Sequence, residues 1–331
     1  MKILLLIVIL IFLNKYSYSS SLFQTSFHEV EFKSNDIEND KFLKIKKIKI
    51  KSFKNILKKT LDSDKFDELN IYITEDLINS FIKNIVINDE KIINDEYYSN
   101  IKINFDKKKI INFFRQKKTP YTEYLPNKYL LIIYEENEIA ENLFSNNNKF
   151  YLYFNNYLKE NKLFKIPQLD INDRFLLNKD QIKNKDLEKI KNFSSKYKLD
   201  EVIIVLANTT NNLVTYNLIL YSDERILEKK LEFNKKDLKL FFKILENEAI
   251  NMWKKLNQIQ NTSLNLINCK LNYFNIYELK EIRNNLGNVS VIENLNIKTL
   301  SYKNIEYDIY YYGNLKILTK ILNLNKLKIS N

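Results

Sequence analysis

Two spacings of apolar residues organise this chain. Between Tyr97 and Phe105, Ile101, Ile103 and Phe105 fall on one side of the backbone while Asn100, Lys102 and Asn104 fall on the other. Such alternation marks a half-buried strand. Asp106 follows as a helix N-cap, and Ile110, Ile111, Phe113 and Phe114 then form one helical stripe that stops before Pro120. Upstream, Ser26 to Lys33 alternates as a strand. From about Asn39 to Leu61, the residues Ile45, Ile48, Phe53, Ile56, Leu57 and Leu61 mark the apolar side of a helix. Thr74 opens a short helix with Leu77, Ile78 and Phe81 facing inward, and Val86 to Ile93 pairs with the Tyr97 strand. These elements predict a β-α-β-β-α domain over 22–119.

Pro120 and Pro126 bracket a linker, since both disfavour continuing helix. The pattern then changes. Tyr129 to Tyr134 is apolar at every position, as a strand covered on both faces requires. A helix over about Lys149–Asn161, a strand over Leu163–Leu169, a helix over about Asn184–Tyr197 and a second fully apolar strand, Val202–Ala207, follow in order. Strands alternating with helices in this way pair in parallel. A hairpin, Val214–Tyr221 with Ile226–Phe233, turns around Ser222-Asp223-Glu224. A helix from Asp237 to about Gln258 closes the segment, with Leu238, Phe241, Leu245, Ala249, Met252 and Leu256 as its stripe and Trp253 beside them in the core. Residues 127–260 are thus expected to form a mixed α/β sheet with three parallel strands plus a hairpin. From Leu264 on, strand, helix, two strands, a helix over Leu315–Leu322 and a final strand over Leu324–Ile329 give the ferredoxin-like βαββαβ order, assigned to 262–331. The fold class is α+β and α/β, in three small modules.

The N-terminus follows neither spacing. Lys2 precedes an unbroken apolar run from Ile3 to Leu13, followed by Asn14-Lys15 and the small-residue pattern Ser17-Tyr18-Ser19. The pattern is that expected of a secretory signal peptide over residues 1–19, with cleavage expected after Ser19. The run is about half of the roughly 20 residues that a spanning helix needs, so no transmembrane segment is expected in the mature chain.

Charge and composition narrow the chemistry. The net charge of +12 suggests anionic polymers or a membrane surface as partners. Of the 53 basic residues, however, only Arg115, Arg174, Arg225 and Arg283 are arginine, the residue that forks onto phosphate and guanine. Lys, Asn and Ile are all inflated, as an AT-rich genome dictates, and the balance argues against nucleic acid. With Gly287 and Gly313 the only glycines, no glycine-rich phosphate loop, dinucleotide fingerprint or nucleophile elbow can be written, and no cofactor is expected. Turns of positive φ should fall mainly to asparagine, as at Asn146-Asn147-Asn148 and Asn211-Asn212. Gly287 sits where a helix C-cap wants positive φ, and Gly313 marks a strand-to-helix turn. One cysteine and one histidine assemble no Cys/His zinc site. Cys269 shares a strand face with Ile267, Leu271 and Tyr273, and His28 alternates with Val30 and Phe32, so both read as structural. Of the clustered tyrosines, Tyr307 and Tyr311 fall inward and Tyr310 and Tyr312 outward.

Tyr97-Tyr98-Ser99-Asn100-Ile101-Lys102-Ile103-Asn104-Phe105-Asp106, the helix to Thr119-Pro120, the strand at Tyr129, Lys165-Ile166-Pro167-Gln168-Leu169-Asp170 with Asp173, and Tyr197 leading into Val202 to Leu206 form an ordered set. In these stretches the chain resembles the bacterial envelope family called domain of unknown function 2066. Members tend to carry Trp and Arg after the Tyr129 strand, where Phe150, Tyr151 and Tyr153 stand here. The resemblance implies an exported, periplasmic protein of a Gram-negative bacterium and brings no catalytic residue with it.

Topology offers one candidate site. Ligands of open α/β sheets gather outside the carboxyl ends of parallel strands. Those ends should deliver Glu135, Glu136 and Asn137, then Asp170, Asp173 and Arg174, then Asn208, Thr209 and Thr210. Glu135, Glu136, Asp170, Asp173 and Arg174 form the candidate ligand or cation rim, with oxygen donors suited to Ca²⁺ or a small cation. No residue spacing fixes a metal site or a catalytic set. The sequence favours a non-enzymatic periplasmic module with an envelope protein partner. A carboxylate-based hydrolase using Asp170 and Asp173 is the first alternative, and a binder of anionic polymer or membrane surface, with peripheral membrane contact, is the second.

Overall fold

The computed structural model describes residues 22–126, 128–137, 141–158, 160–210, 213–222, 224–234, 237–325 and 327. The expected leader and the Asn211-Asn212 turn lie outside them. The described residues form an α+β fold with eleven helices and three sheets. They divide into two compact units: residues 22–57 with Ile73–Asn112, and Lys58–Tyr72 with the described residues from Phe113 onward.

The first unit carries an antiparallel sheet of β1 (His28–Lys33), β2 (Ile82–Ile93) and β3 (Glu96–Phe105), in the order β1-β3-β2. The central strand alternates as its residues require, burying Tyr97, Ser99, Ile101, Ile103 and Phe105. Helix α1 (Ile37–Thr60) brings Phe53 onto this face, its ring 5.4 Å from Phe81 and 5.7 Å from Phe105. Helix α2 (Ser63–Asn70) belongs to the second unit. Both caps read from the residues are present. Thr74 Oγ1 accepts the Leu77 N–H at 3.2 Å ahead of α3 (Glu75–Phe81), and Asp106 Oδ1 accepts the Lys109 N–H at 3.2 Å ahead of α4 (Lys107–Gln116). His28 Nε2 hydrogen-bonds Ser52 Oγ at 3.1 Å, and burial with the nearby Lys51 charge holds its pKa below 6.5.

In the second unit, β4 (Tyr129–Asn137), β5 (Glu141–Asn142), β6 (Phe164–Lys165), β7 (Glu201–Thr210), β8 (Leu213–Ser222) and β9 (Arg225–Asn234) form the largest sheet. The order is β5-β4-β7-β8-β9, with β6 also on β4. Strand β4 pairs in parallel with both β6 and β7, and β8 and β9 form the antiparallel hairpin. Helices cover both faces, which is why Tyr129–Tyr134 of β4 and Val202–Ala207 of β7 are apolar throughout. Leu131, Ile133, Ile203 and Val205 meet Phe150 of α5 (Lys149–Tyr157) and Phe241 and Trp253 of α9 (Leu238–Asn257). On the other face, Leu130, Ile132, Val202 and Ile204 meet Ile182, Ile190 and Phe193. Those three residues lie on α7 (Lys179–Lys183) and α8 (Leu187–Lys196), which follow α6 (Ile171–Leu176).

The expected strand over Leu163–Leu169 is only two residues long. Pro167 has no N–H for a ladder, and the chain turns away at Lys165. This leaves the middle of the β4 edge to side chains. Tyr151 Oη accepts the Ile133 N–H at 2.8 Å, and Asn148 Nδ2 donates to the Ile133 carbonyl at 3.2 Å. The aromatic segment after the Tyr129 strand therefore finishes the hydrogen bonding of the sheet.

The third sheet holds β10 (Leu264–Asn272), β11 (Ile292–Ser301) and β12 (Asn304–Tyr312) in the order β10-β12-β11, with α10 (Ile276–Gly287) and α11 (Leu315–Leu324). Ile305, Tyr307, Ile309 and Tyr311 are buried, and Cys269 packs half-buried beside Ile267, Leu271 and Tyr273. Leu324 ends α11 rather than opening a strand, and 326 and 328–331 fall outside the described residues. Within this same unit, Arg115 meets the sheet: Nη1 lies 3.0 Å from Glu293, Nη2 donates to the Ser290 carbonyl at 2.6 Å, and the guanidinium lies 4.3 Å from the Tyr312 ring centre.

Positive φ is distributed differently from the expectation. Gly313 has φ +85° at the strand-to-helix turn, as read. Gly287 instead remains inside α10, which Asn288 closes at φ −94°. Asn148 is an N-cap at φ −66°, and Asn94 is the one asparagine of positive φ among the described residues. Lysine takes the role at Lys118, Lys185 and Lys198. Each follows a helix whose last carbonyls are closed by a paired wrap: Thr119 to Phe114, Asp186 to Gln181 and Leu199 to Ser194. The wrap needs a left-handed residue whatever its side chain, and a glycine-poor chain fills it with lysine. Replacing each of these lysines with Gly should therefore stabilise the protein by about 0.5–1 kcal/mol. A urea unfolding midpoint moving to lower concentration would contradict this.

Candidate functional site

Burial sorts the proposed rim residues. Glu135 and Glu136 are consecutive on β4 and so face opposite sides of the sheet. Glu135 is buried and pairs with Lys149 Nζ at 2.7 Å. Glu136 stands in register with Asn208 and meets Lys183 Nζ at 3.3 Å. Asp170 and Asp173 come together on a different element, the first turn of α6. Asp170 is its N-cap, with Oδ1 accepting the Asp173 N–H at 2.8 Å. Arg174, next along the helix, donates through Nε to the Phe144 carbonyl at 3.1 Å.

Asp173 is the most constrained of these groups. It is wholly buried, and both oxygens are in use. Oδ1 accepts Lys196 Nζ at 2.7 Å and the Tyr197 hydroxyl at 2.5 Å, while Oδ2 accepts the Leu169 N–H at 2.9 Å. The Tyr197 oxygen in turn accepts the Gln168 N–H at 3.0 Å. Leu169 is held at φ +62°, a conformation unfavourable for a side chain with a Cβ. The carboxylate thus pins a strained loop onto the end of α8. Sequence reasoning named Asp173 but not Lys196, and it used Tyr197 only as the end of a helix. These partners lie 23 and 24 residues away, and no local spacing announces them.

The titrations follow from these contacts. The Asp173 N–H, with Lys196 beside it, holds Asp170 below its ordinary 3.8. The hydrogen bond to Asp173 raises Lys196 above 10.5. Burial, with Asp173 close by, pushes Tyr197 up to about 12. A depressed acid stabilises the fold above its ordinary pKa and loses that contribution as pH falls. A raised lysine stabilises below 10.5 and loses that contribution as pH climbs through its raised value. The stability gap between the wild type and Lys196→Met should therefore stay level from about pH 5 to about pH 9 and narrow outside that range. A slope inside the window would contradict this assignment.

Tyr134, Glu141, Phe144, Arg174 and Lys179 line a cleft of about 390 Å³ at this edge, where Lys179 meets Glu141 at 2.5 Å. Chemically, the rim offers ammonium–carboxylate pairs and one guanidinium. Among the described residues, no three Asp, Glu, His or Cys side chains gather as metal ligands, and no helix is long and apolar enough to cross a membrane.

No protein-family profile matches the chain. No curated protein matches it either. Among solved structures, it is similar to the LpoB C-terminal domain from Salmonella enterica, at 12% identity and a TM-score of 0.23, covering 34% of this chain and 85% of that one. That likeness is too loose to carry an argument.

Proposed function

We propose that this protein is an exported, non-catalytic accessory module of the bacterial cell envelope, acting through contacts with an envelope partner. The observation that carries the reading is the engagement of Asp173. Both of its oxygens are spent on Lys196, Tyr197 and the Leu169 backbone, so the acidic rim secures the α6–α8 corner. A carboxylate serving hydrolysis must instead reach substrate or water. The leader-like start (Lys2, the Ile3–Leu13 run and Ser17-Tyr18-Ser19) supports export, and the resemblance to the domain of unknown function 2066 family points the same way.

Fractionating native cells and sequencing the N-terminus of the recovered protein tests export. The reading expects periplasmic material beginning at Ser20. Cytosolic material beginning at Met1 would overturn it.

A further inference from the structure

The third sheet ends in an apolar tip that its own core does not use. The Tyr273 N–H donates to the Lys303 carbonyl at 3.0 Å, and the Tyr273 hydroxyl donates to the Ser301 carbonyl at 3.2 Å. These bonds set the turn from β10 into α10 beside the β11–β12 hairpin. From the two turns, Phe274, Tyr277 and Tyr302 project with 84%, 82% and 87% of their surface in water, and Ile276 and Leu300 are exposed beside them.

The backbone beneath is fixed. Asn275 Oδ1 accepts the N–H groups of Tyr277 and Glu278, and Glu278 Oε2 accepts the Phe274 N–H at 2.7 Å. An apolar residue just before an N-cap usually folds back onto the fourth helical residue. That residue here, Leu279, is buried, yet Phe274 points to solvent. Apolar side chains gathered in water without internal cover mark an interaction surface.

Its charges select the partner. Lys298 and Lys303 are exposed on the hairpin, with the Lys303 ammonium 5.3 Å from the Tyr302 ring centre, and Lys280 is exposed on α10. Of the nearby acids, Glu278 accepts the Phe274 N–H and keeps its charge, Glu306 stands in register with Lys270, and Glu281 is exposed on α10, so four lysines stand against three glutamates. Aromatic rings with lysines around them suit the headgroup boundary of a bilayer. There the rings enter the interface while the ammonium groups meet lipid phosphates. We infer that this tip docks the protein peripherally on an anionic lipid bilayer. The inference rests on the tip geometry and is independent of export.

The test uses the chain from Ser20 onward, which keeps every described residue and lacks the apolar start. Cosedimentation is measured with vesicles of phosphatidylethanolamine and phosphatidylglycerol, and with vesicles of phosphatidylcholine alone. Wild type should partition onto the first and several-fold less onto the second. The triple variant Phe274→Ser, Tyr277→Ser, Tyr302→Ser should lose at least about tenfold in partitioning while unfolding at the wild-type temperature. An environment-sensitive fluorophore on Tyr302→Cys, in a Cys269→Ser background, should shift to the blue on the anionic vesicles. Wild type remaining in solution would overturn the proposal, as would equal partitioning of the triple variant. So would an unchanged fluorophore, or tip variants that lose a captured envelope protein while still binding vesicles.

Discussion

Asp173→Ala is expected to destabilise the protein by about 3–5 kcal/mol, the magnitude associated with removing one partner from a buried ion pair. The substitution strands three groups at once: the Lys196 ammonium, the Tyr197 hydroxyl and the Leu169 N–H. It also releases a backbone held at φ +62° at Leu169. Asp173→Asn keeps the shape and one acceptor oxygen but sets its NH2 against a donor and carries no charge for Lys196, so it should recover only part of the loss. Asp170→Asn keeps an N-cap of equal rank and gives up only a partly exposed pairing with Lys196, so it should cost under about 1 kcal/mol. The ranking Asp173→Ala, Asp173→Asn, Asp170→Asn is read from urea unfolding. Equal effects at the two positions would show that burial does not set the outcome.

The second large effect belongs to Lys254, on the side of α9 beside Trp253. Its side chain is buried, and Nζ donates to the carbonyls of Lys58 and, at 2.9 Å, Leu61, both in the same unit as Lys254. Burial draws its pKa down to about 8, against the opposing pull of Asp62. The sign follows from proton counting. Between pH 8 and the ordinary 10.5 of a lysine, the unfolded chain binds more protons than the folded one. Stability therefore rises with pH across that window, and the contribution is lost again as pH falls through 8. Comparing wild type with Lys254→Met cancels the other titrations. The difference should swing toward wild type by about 3 kcal/mol between the two limits. A difference independent of pH would contradict the buried ammonium.

What the residues announced and what they hid have a common physical basis. Periodicity reads burial along one element, and it was enough for β3, β12 and the two-faced strands β4 and β7, and for the stripe on α9 that put Trp253 in the core. Capping is equally local, so Thr74 and Asp106 were legible. The parallel pairing of β4 with β6 and β7 followed from the alternation of strands with helices.

The site was legible only as a set of polar residues near strand ends. How each of them is held depends on partners from other elements: Lys149 for buried Glu135, Lys183 for half-exposed Glu136, and Lys196 with Tyr197 for buried Asp173. Lys254 was invisible for the same reason, because its acceptors come from a distant helix end. The lysines of positive φ are a further case. The wrap that requires them is a property of backbone hydrogen bonds, and no side chain signals it.

A double-mutant cycle of Asp173→Asn and Lys196→Met, followed by urea unfolding, tests most directly whether the acidic rim builds the fold. The account predicts a coupling of about 1–3 kcal/mol between the two positions. Additive effects, with no coupling beyond about 0.3 kcal/mol, would contradict it.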